Sequence, residues 1–527
     1  MRPHALLPPA AVFLACTAVL SLAGCDNAVE GTERLPPLEA AALDADAGSW
    51  RMIVLSAPDQ IAVPAPAAAG SDAYRAELQA IRAAQASLTA AQRRSVEHWS
   101  GGGVLRWNQV TRELVARFNL PPAPRADGTY PVPDPENPFA DPQFPFANPP
   151  YAARAYSYVS VAQYEALKSA WYWKYRYNRP SPARVDPGIR ALVPVGSLPA
   201  YPSEDAVLSA VTAEVLKALF PAAVEEITRQ AAEQREAALL SGKASPSDVA
   251  AGLALGKAVA AAVLARAAAD GARSAAGTPA EWKALEDAAA ARGEVPWRSQ
   301  ESPARPPMLP GFGRVRTWTM TAEEAAAEQP PAPPSTSSEQ MRTELAEVRR
   351  TVDHLTRHQL AVALRWNDGA GTYTPSGHWN DIAAEHVRDA RMSEVRAART
   401  FALLNMAMHD AAVGCWSVKY RYFNPRPHQL DPAIRTVVGL PNFPSYPSGH
   451  STFSATAAEV LSYVFPDAAA EFHALADEAG ISRLYGGIHY RSDIERGKEH
   501  GARVGAYAVR LARGDGADAG RTVSPAP

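Results

Sequence analysis

The chain is written twice. KYRYNRPSPARVDPGIR at 174–190 lies over KYRYFNPRPHQLDPAIR at 419–435, an offset of 245. The same offset takes YPSEDA (201–206) onto YPSGHS (446–451) and Glu214-Val215-Leu216 onto Glu459-Val460-Leu461. It also takes Ser247-Asp248-Val249 onto Ser492-Asp493-Ile494, with no gap from 174 to 257. Upstream, LQAIRAAQASLTAAQ (78–92) matches LAEVRRTVDHLTRHQ (345–359) at 267, and Trp107-Asn108 matches Trp379-Asn380 at 272. The change back to 245 places a 27-residue insertion in copy one, within the Pro-rich stretch at 121–150. A repeat this long requires both copies to fold alike.

Both copies show apolar residues three and four apart, as in LSAVTAEVLKALF and RAARTFALLNMAMHDAAVGCW, and little strand alternation. The pattern predicts an all-α protein: two related helical bundles from an internal duplication, packed as a pseudo-symmetric pair. A helical solenoid fits poorly, because two copies of this length are too few and too long. The 47 prolines call for long loops between helices. The expected organisation is a signal at 1–24, a flexible tether at 25–73, a bundle at 74–275 and a Pro-rich linker at 276–338. A second bundle at 339–515 and a disordered tail at 516–527 complete it.

Lys+Arg 52 against Asp+Glu 55 gives a net charge of -3, which argues against a nucleic-acid-binding surface. Arg2 and His4, the apolar AVFLACTAVL and then SLAGC read as an export signal. Leu22-Ala23-Gly24-Cys25 resembles the bacterial lipobox, which implies that Cys25 is lipidated and becomes the mature N-terminus. Asp26 resembles an enterobacterial signal for inner-membrane retention. The expectation is an exported protein held at the periplasmic face of a bacterial membrane by its N-terminal lipid alone. VAAGLALGKAVAAAVLARAAAD is interrupted by Lys257 and Arg266 and reads as a helix buried on one side. Only Cys415 remains in the folded part, so no internal disulfide is available.

PSGH occurs twice, at 375–378 and 447–450. The second copy belongs to a larger pattern. Lys419, Arg426 and Arg483 supply three cationic donors, enough to neutralise a tetrahedral oxyanion. Ser448 and the Gly449 N–H stand where STFSATAAEVLSYVF begins, so a helix N-terminus faces the anion. His450 can exchange a proton. If 489–493 is helical, His489 and Asp493 share a face, and Asp493 can hold one ring nitrogen and leave the other free. The order Lys419…Arg426-Pro427, Pro447-Ser448-Gly449-His450, Ser482-Arg483…His489…Asp493 resembles the superfamily of type 2 phosphatidic acid phosphatases, bacterial acid phosphatases and vanadium-dependent haloperoxidases. The first PSGH precedes the Lys419 segment, and its Ser376 or Gly377 is expected to cap the helix WNDIAAEHVRDARM; the alternative is a role lining the pocket. Copy one keeps Lys174, Ser203 and Asp248. It carries Ser181, Glu204, Asp205, Ala238 and Ala244 where copy two has Arg426, Gly449, His450, Arg483 and His489. Copy one should be catalytically dead.

The resemblance implies two reactions on small-molecule substrates. In a phosphatase without cofactor, His489 forms a phosphohistidine and His450 protonates the leaving alcohol. In a haloperoxidase, vanadate is the cofactor, His489 is the vanadium ligand, and peroxide and halide react there. A water-exposed chain with two related bundles and one live site looks more like the haloperoxidases. A third reading is a lipoprotein that binds oxyanions without turning them over.

Overall fold

The computed structural model describes residues Leu35–Asp518. Cys25, the export signal and residues 519–527 lie outside the described residues. All regular structure among the described residues is helical. Copy one contains α1 (Asp72–Ala86), α2 (Ala90–Ser100), α3 (Gly103–Phe118), α4 (Pro149–Tyr177), α5 (Glu204–Leu219), α6 (Val224–Leu240) and α7 (Pro246–Ala268). Copy two contains α8 (Glu339–Asp353), α9 (Arg357–Arg365), α10 (Thr374–Asp389), α11 (Glu394–Tyr422), α12 (Gly449–Val464), α13 (Ala469–Tyr485) and α14 (Arg491–Arg513). From α4 to α7 both bounds of every helix recur 245 residues later in α11 to α14. Local chemistry sets these bounds. Ser203 and Ser448 cap α5 and α12 through their hydroxyls, and α4 and α11 end on the left-handed residues Asn178 and Phe423.

α4 and α11 are buried along most of their length and pack on each other, and one hydrophobic core runs through both copies. At their crossing, equivalent residues meet. Asn405 donates to Ser160 Oγ at 2.8 Å, and Asn108 donates to Asn380 Oδ1 at 2.8 Å. Asn380 and Asn405 exchange bonds of 2.7 and 2.9 Å. Ser160 and Asn405 stand at the offset of 245, Asn108 and Asn380 at 272, as an isologous interface requires. α7 is long and apolar enough to cross a membrane by length and composition. It packs against α5 through a buried stripe of Gly252, Leu255, Gly256, Val259 and Val263, with Lys257 exposed.

One expectation fails, on the segment that composition marked as a flexible tether. Residues 35–73 are docked on the bundle: Ala47, Trp50, Leu55 and Val63 are buried. The Glu165 carboxylate accepts the N–H groups of Ile53, Val54 and Leu55 at 2.8–2.9 Å. The stretch 276–338 is docked too, with Trp297, Phe312, Val315 and Met320 in the core. Asp410, the equivalent of Glu165, accepts the N–H groups of Trp318 and Thr319, each at 2.7 Å. The two segments correspond at an offset of 265. Asp44 and Leu309 share a left-handed φ of 48° and 47°. A Cβ on Gly48 would meet Tyr172 Cα at 2.6 Å, and one on Gly313 would meet Ser417 Cα at 2.5 Å. Each copy thus carries a strap that lies flush on its central helix, and only glycine permits the approach. At the other end, Ala517 is buried and Asp518 pairs with Arg399, so the first residues of the expected tail are part of the fold. By contrast, most of the 121–143 stretch is exposed coil, as befits an insertion.

The strap contact yields a stability prediction. Glu165 and Lys168 form a fully buried pair at 2.7 Å, so Glu165→Ala strands the ammonium as well as three backbone donors. Such a loss costs about 3–5 kcal/mol. Thermal unfolding of the variant should show a melting temperature lowered by several degrees; an unchanged melting temperature would mean that the strap is not held there.

Candidate active site

The site is built where two helices of copy two begin. Ser448 caps α12 by accepting from Ser451 N, and its own N–H donates to Asp493 O at 2.9 Å in the first turn of α14. The two N-termini are thereby fixed side by side, and the N-terminal end of a helix favours negative charge. The loop 443–447 threads between them and turns its carbonyls inward. Lys419, from the last turn of α11, donates to the carbonyls of Pro444, Ser445 and Pro447 at 3.0, 2.8 and 2.5 Å. Arg426 donates to Phe443 O at 3.1 Å and to Ile488 O at 2.9 Å. Arg483, from α13, donates to Ser482 Oγ at 2.8 Å and to Ala363 O at 3.1 Å.

All three cations are buried, and carbonyl dipoles do not cancel their charge. Burial accordingly lowers Lys419 to about 7 and Arg426 and Arg483 each to about 10. Asp493 Oδ2 lies 2.8 Å from His489 Nδ1 and also accepts from Ser445 Oγ at 2.5 Å and Tyr490 N at 3.2 Å. Burial raises Asp493 to about 6 despite these bonds. Burial, with Arg426 and Lys419 next, holds His489 well below the ordinary imidazole range, so its ring is neutral. Nδ1–H therefore points to Asp493, and the Nε2 lone pair faces the Arg426 guanidinium at 3.0 Å. α14 begins at Arg491, so the His489–Asp493 contact arises from the capping turn and not from one helix face as the sequence predicts.

The structure brings Lys419, Arg426, Ser448, Gly449, His450, Arg483, His489 and Asp493 into one region. It adds three residues outside the motif: Ser445, Asp368 and His378. Ser445 donates to Asp493; it replaces Ala200 of copy one, and a comparison of the halves for polar gains would have found it. Asp368 sits before α10 in a left-handed conformation, φ 44°. Its carboxylate lies 3.1 Å from His378 Nδ1 and 3.5 Å from His450 Nε2. Burial would raise Asp368, but hydrogen bonds from His378 and His450 hold it well below the usual carboxylate range. Burial and then Arg483 lower His450 to about 4. The first PSGH thus reaches the site through His378. Its Ser376 and Gly377 do not cap the helix: α10 starts at Thr374, and both lie inside its first turn.

Copy one closes the same place with its own acids. Glu204, at the position of Gly449, puts its carboxylate 2.7 Å from Lys174 and 3.2 Å from Lys243. Asp205, at the position of His450, pairs with Lys243 at 2.7 Å. Burial opposes ionisation of Glu204, yet Lys174 and Lys243 lower it to about 2. At Gly449 a Cβ would meet only Phe453 and Trp416 rings, at 3.8 and 4.0 Å. Protein packing therefore does not demand glycine there. The open space beside the α12 N-terminus and the donor set would fit phosphate or vanadate.

Residues 399–514 match the model of the PAP2 superfamily. A non-specific acid phosphatase of Salmonella typhi is 43% identical over 58 residues, 11% of this chain and 23% of that protein. That match spans about a quarter of the curated relative. Among solved structures, a bacterial vanadium-dependent iodoperoxidase aligns over 77% of this chain and 96% of its own, with TM-score 0.57 and 22% identity. An apo-type bacterial vanadium-dependent chloroperoxidase aligns over 70% and 95%, with TM-score 0.49 and 13% identity. The iodoperoxidase alignment shows a shared fold.

Proposed function

We propose that this chain, which belongs to the PAP2 superfamily through residues 399–514, is an enzyme that binds a tetrahedral oxyanion among Lys419, Arg426 and Arg483. With vanadate bound there, it oxidises halide by hydrogen peroxide. The observation that carries this reading is the contrast between the halves. Where copy one builds the Glu204 carboxylate against Lys174, copy two has Gly449 and leaves Lys419 without an acidic partner of its own.

Lys419, Arg426 and Arg483 would balance the charge of the oxyanion, and Ser448 and the Gly449 N–H would donate to it. His489 Nε2 would be the vanadium ligand, because Asp493 holds the ring by Nδ1 and leaves the other nitrogen as a lone pair. Bound vanadate would supply Lewis-acid activation of peroxide. His450 turns Nε2 toward Asp368, so proton exchange falls to Nδ1. With its pKa lowered to about 4, His450 is neutral above that pH and suited to take a proton from hydrogen peroxide. The extent of the iodoperoxidase alignment, 77% of the chain, supports the peroxidase reading, although fold alone does not set reaction.

The 58-residue likeness to an acid phosphatase keeps a second reading in view. There, His489 Nε2 attacks phosphorus, the P–O ester bond breaks, His450 protonates the leaving alkoxide, and water then cleaves the N–P bond. No cofactor is needed. Vanadate separates the two readings. In the peroxidase reading, orthovanadate added to the vanadium-free protein switches on iodide or bromide oxidation and suppresses hydrolysis of p-nitrophenyl phosphate. If hydrolysis is inhibited but no halide is oxidised between acid and neutral pH, the phosphatase reading stands.

We also propose, from Leu22-Ala23-Gly24-Cys25, that the protein is exported and lipid-anchored at the periplasmic face. Cys25→Ser should move it from the membrane fraction to the soluble fraction with its activity intact. Unchanged membrane recovery of that variant would remove the anchor.

A further inference from the structure

The first PSGH has no place in the superfamily signature, yet its His378 ends 3.1 Å from Asp368 Oδ1 and 3.3 Å from Oδ2. The same carboxylate faces His450 Nε2 at 3.5 Å. One buried carboxylate, itself 7% exposed, therefore bridges two imidazoles on different elements. His378 belongs to the second turn of α10, and His450 to the first turn of α12. The ring of His378 is fixed on its other side by stacking on Trp366, with centroids 4.3 Å apart and planes 24° apart. Tyr373 meets it edge-on at 5.9 Å. Asp368 is thus held from the His378 side by geometry far tighter than its contact to His450.

We propose that His378 is a positioning residue that acts through Asp368 on His450, fixing the orientation of the His450 ring and the strength with which it holds its proton. The inference deepens the reading of His450 as the proton-exchanging group and rests on it. Two consequences follow. Asp368 must face His450 as an anion, so that Nε2 carries the hydrogen and Nδ1 is the nitrogen available for exchange. His378 competes for that anion, so it tempers the attraction that Asp368 exerts on His450. The charged and titratable groups around His450 are Arg483 from α13, Asp368 from the loop before α10, His378 from α10 and His489 before α14. Only Asp368 among them favours the protonated ring.

The test reads opposite shifts. Asp368→Asn removes the attraction, and His450 should titrate at lower pH than in the wild type. His378→Phe keeps the stack on Trp366 but removes the competitor, and His450 should titrate at higher pH. The titration is followed in the full chain by NMR of labelled histidine rings, with His450 assigned by the loss of its signal in His450→Gln. It needs no turnover, so its outcome is independent of whether the protein proves to be a peroxidase or a phosphatase. Both variants should bind orthovanadate as the wild type does, while Asp368→Asn lowers kcat about 10–100-fold, the effect of losing a group that orients a working side chain. Should His378→Phe fold poorly, His378→Leu also removes the donor to Asp368 and gives the same upward shift. Shifts in one common direction, or no shift in either variant, overturn the proposal. Loss of vanadate binding in the wild type would instead overturn the reading of the site, leaving the titration to decide the role of His378.

Discussion

Three cationic side chains buried together are the constraint on which the rest of copy two depends. Stripping a guanidinium or ammonium of water costs several kcal/mol even after the protein relaxes. Lys419, Arg426 and Arg483 meet that cost with backbone carbonyls from 443–447, Ile488 and Ala363. Carbonyls supply dipoles but no countercharge, and the lowered pKa values of all three groups record the deficit. The nearby carboxylates are committed to imidazoles, Asp493 to His489 and Asp368 to His378 and His450. A bound oxyanion would supply the missing countercharge. The rigid framing of the site by two tied helix N-termini, a carbonyl-lined loop and a docked strap follows from the need to keep like charges together.

Copy one shows what the same scaffold becomes when that need is met internally. Glu204 and Asp205 pair with Lys174 and Lys243, and the cluster closes on itself. The half still matters, because α4 covers the face of α11 that would otherwise be exposed, and Ser160 and Asn108 complete the polar cluster at the crossing. Leaving a buried amide there without a partner would cost about 1–3 kcal/mol. We read copy one as the structural partner of a single working site.

Much of this was legible in the sequence because two copies could be compared. The all-α class follows from the helical periodicity of both copies, and the structure gathers the eight residues of the motif into one region. What escaped did so for physical reasons. Asp368 and His378 are separated from His450 by more than seventy residues, and only the packing of α10 against α12 joins them. Ser445 belongs to no motif, and only its bond to Asp493 in the folded chain marks it. The first strap was read as a flexible tether because Ala- and Pro-rich composition reports local flexibility, whereas Glu165 holds it by long-range bonds to its N–H groups. The spacing of His489 to Asp493 is the same for a helical face and for a capping turn, so the sequence does not distinguish them.

The central claim is that one half of a doubled chain binds an oxyanion and the other has replaced it. Isothermal titration of the full chain with orthovanadate measures this directly. The account predicts one site per chain, lost in Lys419→Met and retained in Lys174→Met. Two sites per chain, or a site that survives Lys419→Met and disappears in Lys174→Met, would contradict it.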